Sequence, residues 1–257
     1  RVREAIAALD FVVVIDAAGD RGTFRSQMYE PYKANREPPP EALDVQVERC
    51  VSLLSAIGAP VLGIEGVEAD DTIATLVDRL TRERPDVRIR IVSKDKDLQQ
   101  LLRAGRVEMF DVHTDEVIDE ARLLEEKKIT PAQVVDMLAL MGDTVDNVPG
   151  VDGVGPKTAA DLIQQYGTLE NLLAHADEIK GKRGERLREA AGRLPLSKRL
   201  VELKRDVDVE FDLERATTGA LRLAELLPLL KELGFNRYQD EVKALLGDSS
   251  AATPRLP

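Results

Sequence analysis

Apolar runs that end abruptly in acids recur along this chain, and they limit what it can fold into. Phe11-Val12-Val13-Val14-Ile15 runs straight into Asp16. Glu68, Asp70 and Asp71 open a helical stretch just after the apolar run Pro60–Ile64. The segment Arg88–Val92 is followed at once by Ser93-Lys94-Asp95-Lys96-Asp97, and an apolar helix ending near Met141 gives way to Asp143 and Asp146. A continuous β-branched run is the pattern of a strand covered on both faces. Strands alternating with helices at this spacing predict a parallel α/β sheet. Ligands of such sheets bind beyond the carboxyl ends of the strands. Asp16, Asp95 and Asp97 fall at that edge, and Glu68 to Asp71 open the helix that leaves it. Eight carboxylates brought to one place repel one another strongly unless cations lie between them. Hard divalent ions such as magnesium take oxygen ligands of this kind.

Each cluster has a plainer reading. Acids at a helix N-terminus are favoured by the macrodipole, so Glu68 to Asp71 need no ligand. Asp95 and Asp97 fit a solvated turn, and Asp16 fits an end-of-strand cap. Asp143 and Asp146 differ, because acids after a helix C-terminus are opposed by the dipole and call for a compensating cation. The joint placement of all four clusters is what favours a metal site.

Between the first two clusters the chain changes character. Arg21, Arg25, Tyr29, Tyr32, Lys33 and Arg36 fall close together and Pro38-Pro39-Pro40 closes the segment. Lys33 and Arg36 are i, i+3 neighbours if this stretch is helical. Two cations and an aromatic ring so placed suit either a solvated face or a phosphate backbone with a base stacked on Tyr32. Residues 2–9 read as the end of a helix. A helix is expected from Glu41 to Ile57, with Leu43, Val47, Val51 and Leu54 on its apolar face, and another over Glu68–Leu80. Thr130 and Pro131 start a helix as cap and first residue. Helical segments continue to about Lys204, residues 205–214 read as extended, and two small helices flank Gly234-Phe235.

Gly150, Gly153 and Gly155, with Val154 between and Pro156-Lys157-Thr158 after, form a tight turn running into a helix. An ordinary helix–helix turn would read this way. A helix-hairpin-helix would too: glycine lets backbone approach closely, and the free N–H groups of the helix start suit phosphate oxygens. Neither GxGxxG nor GxxxxGK[ST] is present, which excludes the common nucleotide loops.

The chain has 47 acidic and 36 basic residues, a formal charge of −11. That balance opposes a general nucleic-acid binder, unless many of the acids are gathered at one metal site and binding rests on local basic stripes. Cys50 is the lone cysteine, so the default setting is reducing and cytoplasmic. His113 and His175 lie far from it, which argues against zinc. No apolar stretch approaches the roughly 20 residues of a membrane helix.

Taken in order and spacing, Phe24-Arg25, Tyr32-Lys33-Ala34-Asn35-Arg36, Gly66-Val67-Glu68-Ala69-Asp70-Asp71, Ser93-Lys94-Asp95-Lys96-Asp97-Leu98 and Met141-Gly142-Asp143 through Thr158-Ala159 are a specific set. The chain resembles the 5′ nuclease domains of bacterial DNA polymerases, within the flap endonuclease family, over roughly residues 1–247. The resemblance implies an α/β fold: a PIN-like parallel sheet flanked by helices with a helical arch, then an α-helical helix-hairpin-helix domain. The expected divisions are 1–128 for the nuclease domain with its arch at about 19–42, 129–247 for the helical DNA-binding region, and 248–257 for a flexible tail. It implies two Mg2+ ions, with Mn2+ as substitute, and K+ at the hairpin. By motif match Asp16, Glu68, Asp70 and Asp71 are nearest the first metal, Asp143 and Asp146 nearest the second, and Asp95 and Asp97 are shared or outer. Arg25 falls near the scissile phosphate, and Tyr32, Lys33 and Arg36 in the arch. Gly150, Gly153, Val154, Gly155, Lys157 and Thr158 form the duplex-binding hairpin. The implied substrates are duplex DNA with a 5′ flap, nick or 5′ end, and RNA primers, with a polymerase in the same polypeptide. The family carries a further strand, ending in another metal-binding Asp, upstream of Arg1. The chain therefore reads as a fragment of reduced activity. A PIN-type ribonuclease and a non-catalytic DNA-binding fragment are the alternatives.

Overall fold

A computed structural model describes residues 10–17 and 22–249. Residues 2–9, Arg21 and the 250–257 part of the tail lie outside the described residues. Strand β1 (Val13–Val14) and helix α1 (Phe24–Met28) precede α2 (Glu41–Ala56), β2 (Val61–Leu62) and α3 (Ala69–Glu83). Next come β3 (Ile89–Val92), a 3-10 turn over Lys96–Leu101, β4 (Val107–Asp111), β5 (Glu116–Ile118) and α4 (Glu120–Lys127). The rest is helical: α5 (Val134–Met141), α6 (Pro156–Tyr166), α7 (Leu169–Ala174), α8 (Gly181–Ala190), α9 (Leu194–Val201), α10 (Leu226–Glu232) and α11 (Asn236–Ser249).

The chain forms two compact units. The first, which carries the acids, holds Asp16–Glu37 and Gly63–Val209; the second takes in Pro38–Leu62, the residues before Asp16 that include β1, and the chain after Val209. The 128/129 division expected from the sequence falls inside the first unit.

The α/β class is found, with a smaller and divided sheet. In the second unit β1 and β2 pair in parallel, Val13 opposite Val61. Of the expected Phe11–Ile15 strand, Val13 and Val14 pair with β2 and the Ile15 N–H donates to the Leu62 carbonyl at 2.8 Å, and the run is half-buried. In the first unit β3 and β4 pair in parallel, Ile89 opposite Val107, whereas β4 and β5 form an antiparallel hairpin. Asp115, at positive φ, makes the tight reversal between β4 and β5 possible.

Helix α3 buries Leu76 and Val77, with Ile73 and Leu80 half-buried beside them. It packs in a core with Ile91, Leu98, Leu101, Met109, Leu123 and the buried face of α5. The start at Thr130 is a capping box, in which the Thr130 N–H donates to the Gln133 Oε1 at 3.0 Å. By contrast α2 exposes Leu43 and Val47 within the second unit. Its helical spacing was legible, but the burial of those two positions is not found.

The segment expected to be a helical arch differs most. Among its described residues it holds one five-residue helix, α1, then turns over residues 30–35 and extended chain to Pro40. Pro31 lacks an N–H, Lys33 sits at φ 54°, and Pro38 to Pro40 favour extended backbone. Lys33 and Arg36 are therefore turn neighbours rather than a helical pair. The turn is fastened to the loop after α5: the Lys33 N–H donates to the Asp146 carbonyl (2.9 Å), the Asn35 Nδ2 to the Thr144 carbonyl (2.8 Å) and the Asn147 Nδ2 to the Pro31 carbonyl (2.8 Å).

Helices α5 and α6 flank the glycine turn. A side chain at Gly150 would run into the Met141 carbonyl, so this crossing of two backbones requires glycine. Gly153 has φ 72°, a conformation that L side chains rarely adopt. Gly155 precedes α6 and Pro156 fills its first position, leaving Lys157 exposed at the helix start.

Candidate metal centre

The first unit encloses a cavity of about 210 Å³, and its wall contains Asp16, Glu68, Asp70, Asp95, Asp97 and Asp146. Lys33, Arg36, Arg25, Tyr32 and Ser93 supply the rest of the polar wall. Local chain geometry explains the delivery of each acid. Asp16 follows β1, and its Oδ1 accepts the Ala69 N–H at 2.6 Å, tying that loop to the start of α3. Glu68 is the residue just before α3, and Asp70 lies in its first turn, at the positive end of the dipole. Asp95 caps the 3-10 turn after β3, accepting the Asp97 N–H at 2.9 Å. Asp143 borders an adjoining smaller cavity together with Lys96, Asp97 and Asp146.

The charge is unevenly compensated. Burial, then repulsion from Asp95, Asp97, Asp16 and Glu68, pushes Asp70 up to about 7. Burial and Asp95 push Asp97 up to about 7 as well, and its Oδ1 is buried without a hydrogen-bond partner. On the other side protein cations are already in place. Arg36 pairs with Asp146, and the Lys96 Nζ lies 2.5 Å from the Asp143 Oδ2. Asp143 sits below the usual carboxylate range: burial raises it, but Lys96 and the N–H groups of Asp146 and Val145 outweigh that. Glu68 is held by the Lys33 Nζ at 3.1 Å and the Tyr32 hydroxyl at 3.2 Å. Among the described residues no three carboxylates close on one point tightly enough to hold an ion by themselves. Several of their oxygens are instead taken by Lys33, Arg36, Lys96, Arg25 and backbone N–H groups.

Three expected roles meet a different geometry. Asp71, expected near the first metal, is fully buried and does not line the cavity. Its carboxylate receives both terminal nitrogens of Arg25, at 2.5 and 2.8 Å, and the Lys204 N–H at 2.8 Å. Arg25, expected beside a phosphate, is 1% exposed. Its remaining donors go to the Leu200 and Glu202 carbonyls and to Glu68, so all five N–H groups have partners. Burial opposes its charge, but Asp71 and Glu68 more than restore it. Tyr32, expected to stack on a base, is buried with its hydroxyl on Glu68; burial and that carboxylate hold the phenol protonated. Lys96 received no role from the sequence. The signal was its place between Asp95 and Asp97, a cation inside an acidic motif.

A cavity walled by hard oxygen donors, one of them buried and unpartnered, fits divalent ions that keep much of their water and take few carboxylates each. No helix among the described residues is long and apolar enough to cross a membrane.

A family model described as the 5'-3' exonuclease N-terminal resolvase-like domain matches residues 2–128, and the 5'-3' exonuclease C-terminal SAM fold matches residues 129–223. DNA polymerase I of Rhizobium leguminosarum is 39% identical over 236 residues, 91% of this chain and 23% of that protein. The 5'-3' exonuclease of Aquifex aeolicus is 35% identical over 239 residues, 93% of this chain and 80% of that protein. The structure of T5 5'-exonuclease with bound divalent metal ions (zinc) matches with a TM-score of 0.67 at 25% identity, over 79% of this chain and 77% of that one. The chain spans about a quarter of the length of the DNA polymerase I relatives. With two family models meeting end to end inside it and a similarly sized exonuclease relative, this chain belongs to the 5'-3' exonuclease family.

Proposed function

We propose that this chain is a structure-specific 5′ nuclease that hydrolyses phosphodiesters near 5′ ends or flaps of DNA and of RNA primers. The observation that carries the reading is the single cavity walled by six carboxylates with Lys33 and Arg36 beside them. A T5 relative of the same fold carries divalent metal ions. Two Mg2+ ions, or Mn2+, when bound would supply Lewis-acid polarisation of the phosphate and a water of lowered pKa. Asp16, Glu68 and Asp70 would hold one ion, Asp143 and Asp146 the other, with Asp95 and Asp97 shared or orienting bound water. Asp71 and Arg25 act at one remove: their pair fixes the start of α3, and so Glu68 and Asp70, against the end of α9.

A phosphate entering such an acidic cavity needs cations to draw it in, and Lys33 and Arg36 are placed to exchange a carboxylate for it. Gly150, Gly153, Val154, Gly155, Lys157 and Thr158 would grip duplex phosphates, with K+ bridging to the hairpin carbonyls. The working context would be the cytoplasm, with a polymerase in the same polypeptide.

The deciding assay offers 5′-flap DNA and single-stranded RNA with Mg2+, Mn2+ or EDTA. Cleavage of the flap with either ion and none in EDTA is expected; a flap that stays intact with both ions refutes the proposal. Cleavage of the RNA alone would indicate a PIN-type ribonuclease instead. Within the proposal, Lys33→Ala should slow flap cleavage by about 100-fold while changing duplex affinity little. Gly153→Ala should do the reverse, weakening duplex affinity with the cleavage rate at saturation nearly kept. Equal losses of both quantities in both variants would remove the separation of roles.

A further inference from the structure

We propose that Lys96 is a built-in counter-ion of the Asp143 side of the metal centre, which the second divalent ion must displace. The inference rests on the metal-centre reading above and concerns how the two ions differ.

Asp143 has no idle oxygen. Its Oδ1 accepts the Val145 N–H at 2.8 Å and the Asp146 N–H at 3.2 Å, and its Oδ2 faces the Lys96 Nζ at 2.5 Å. Asp146, its neighbour in the loop, is taken by Arg36. The rest of the acid set is arranged otherwise. Asp16, Asp70, Asp95 and Asp97 line the larger cavity, and Asp97, which also borders the smaller one, keeps a buried Oδ1 with no partner among the described residues. A cation arriving there gains attraction from several carboxylates that are in no ion pair among the described residues; of the proposed ligands of that ion only Glu68 is paired, with Lys33 and Arg25. A cation arriving at Asp143 meets an ammonium at contact distance, and must repel it or push it aside. The chain thus ranks its own sites. The first ion meets mostly uncompensated carboxylates, and the second binds in competition with Lys96. Lys96 stands on the 3-10 turn between Asp95 and Asp97, so the displaced ammonium keeps acidic neighbours within reach. Its side chain is 43% exposed, which leaves room for that movement.

Mn2+ alone is the probe, titrated into the full chain by calorimetry, with wild type, Lys96→Met, Lys96→Gln and Lys96→Arg compared. In wild type a tight step and a weaker step are expected. Lys96→Met and Lys96→Gln should tighten the weaker step by roughly tenfold, or make it visible where wild type shows one step, and leave the tight step in place. Lys96→Arg should follow wild type. Isotherms of both neutral variants that superimpose on wild type, or that lose a step, overturn the inference. So does an unchanged isotherm together with weaker flap-DNA binding in EDTA, which would make Lys96 a phosphate ligand. Should wild type take up no Mn2+ at all, it is the metal-centre reading that fails. Thermal melts establish that each variant is folded, and the glutamine variant serves if the methionine one is not.

Discussion

Asp97→Asn and Asp70→Asn are expected to do two opposite things: reduce metal-dependent cleavage by about 100-fold or more, and make the protein harder to melt at pH 8 in chelator. Both carboxylates are pushed up to about 7, first by burial and then by neighbouring acids. A group whose folded pKa lies above its unfolded value binds more protons folded than unfolded. Its contribution is harmless below about 4, and it increasingly destabilises the fold as pH rises from there to about 7, levelling off above. Removing the charge while keeping the shape should therefore stabilise the fold above pH 7 by on the order of 1–2 kcal/mol after counter-ion screening. For a chain of this size that is a rise of about 3–6 °C in Tm. The gain should be clearly smaller at pH 5 and vanish only below about pH 4, where the carboxylates are protonated in the folded and the unfolded chain alike. It should also shrink when Mn2+ is added, because the ion stabilises the wild type more than a variant that has lost one of its carboxylates. Melting curves at pH 5 and pH 8, with EDTA or Mn2+, test all of this. A lower Tm for both variants at pH 8 in EDTA would show that these acids do not strain the fold, and would remove the electrostatic argument for a cation between them.

The second large effect lies away from the cavity. Asp71→Ala should leave the Arg25 guanidinium buried with its best partner gone, at a cost of about 3–5 kcal/mol. Arg25→Ala should cost a similar amount, because it strips a buried carboxylate and leaves the Leu200 and Glu202 carbonyls without its N–H groups. The paired replacement Arg25→Met with Asp71→Leu removes both charges together. It should recover much of that loss, since two desolvated charges are replaced by packing. Urea unfolding of the four chains forms a double-mutant cycle. Single variants that each cost under about 1 kcal/mol would mean the pair is far more solvated than its geometry indicates. The paired variant also separates stability from function. If it folds, cleavage should still fall, because Glu68 and Asp70 lose the anchor that sets the start of α3.

The sequence by itself determined a good deal. Short-range rules place the helices at Glu41, Ala69 and Pro156, the cap at Thr130 and the glycine crossing at Gly150, because caps, prolines and helical spacing act within a few residues. The gathering of acids was legible for a related reason: strand ends and helix starts in an α/β chain deliver their residues to one edge. Six of the eight acids share a cavity wall and Asp143 lies next to it. What the sequence left open was which acid faces the cavity and which cation each one meets. Asp70 and Asp71 are adjacent, so on α3 their side chains point about 100° apart; one lines the cavity and the other is sealed under Arg25 and Lys204. Tyr32, Lys33 and Arg36 read as a basic helical face, but long-range hydrogen bonds to Thr144, Asp146 and Pro31 in the 31–36 and 143–147 turns fold that stretch flat. Partners more than a hundred residues apart carry no local signature, and burial decides pKa only once packing has removed the water. The kinds of chemistry were written in the chain, and the assignment of individual charges was made by the tertiary fold.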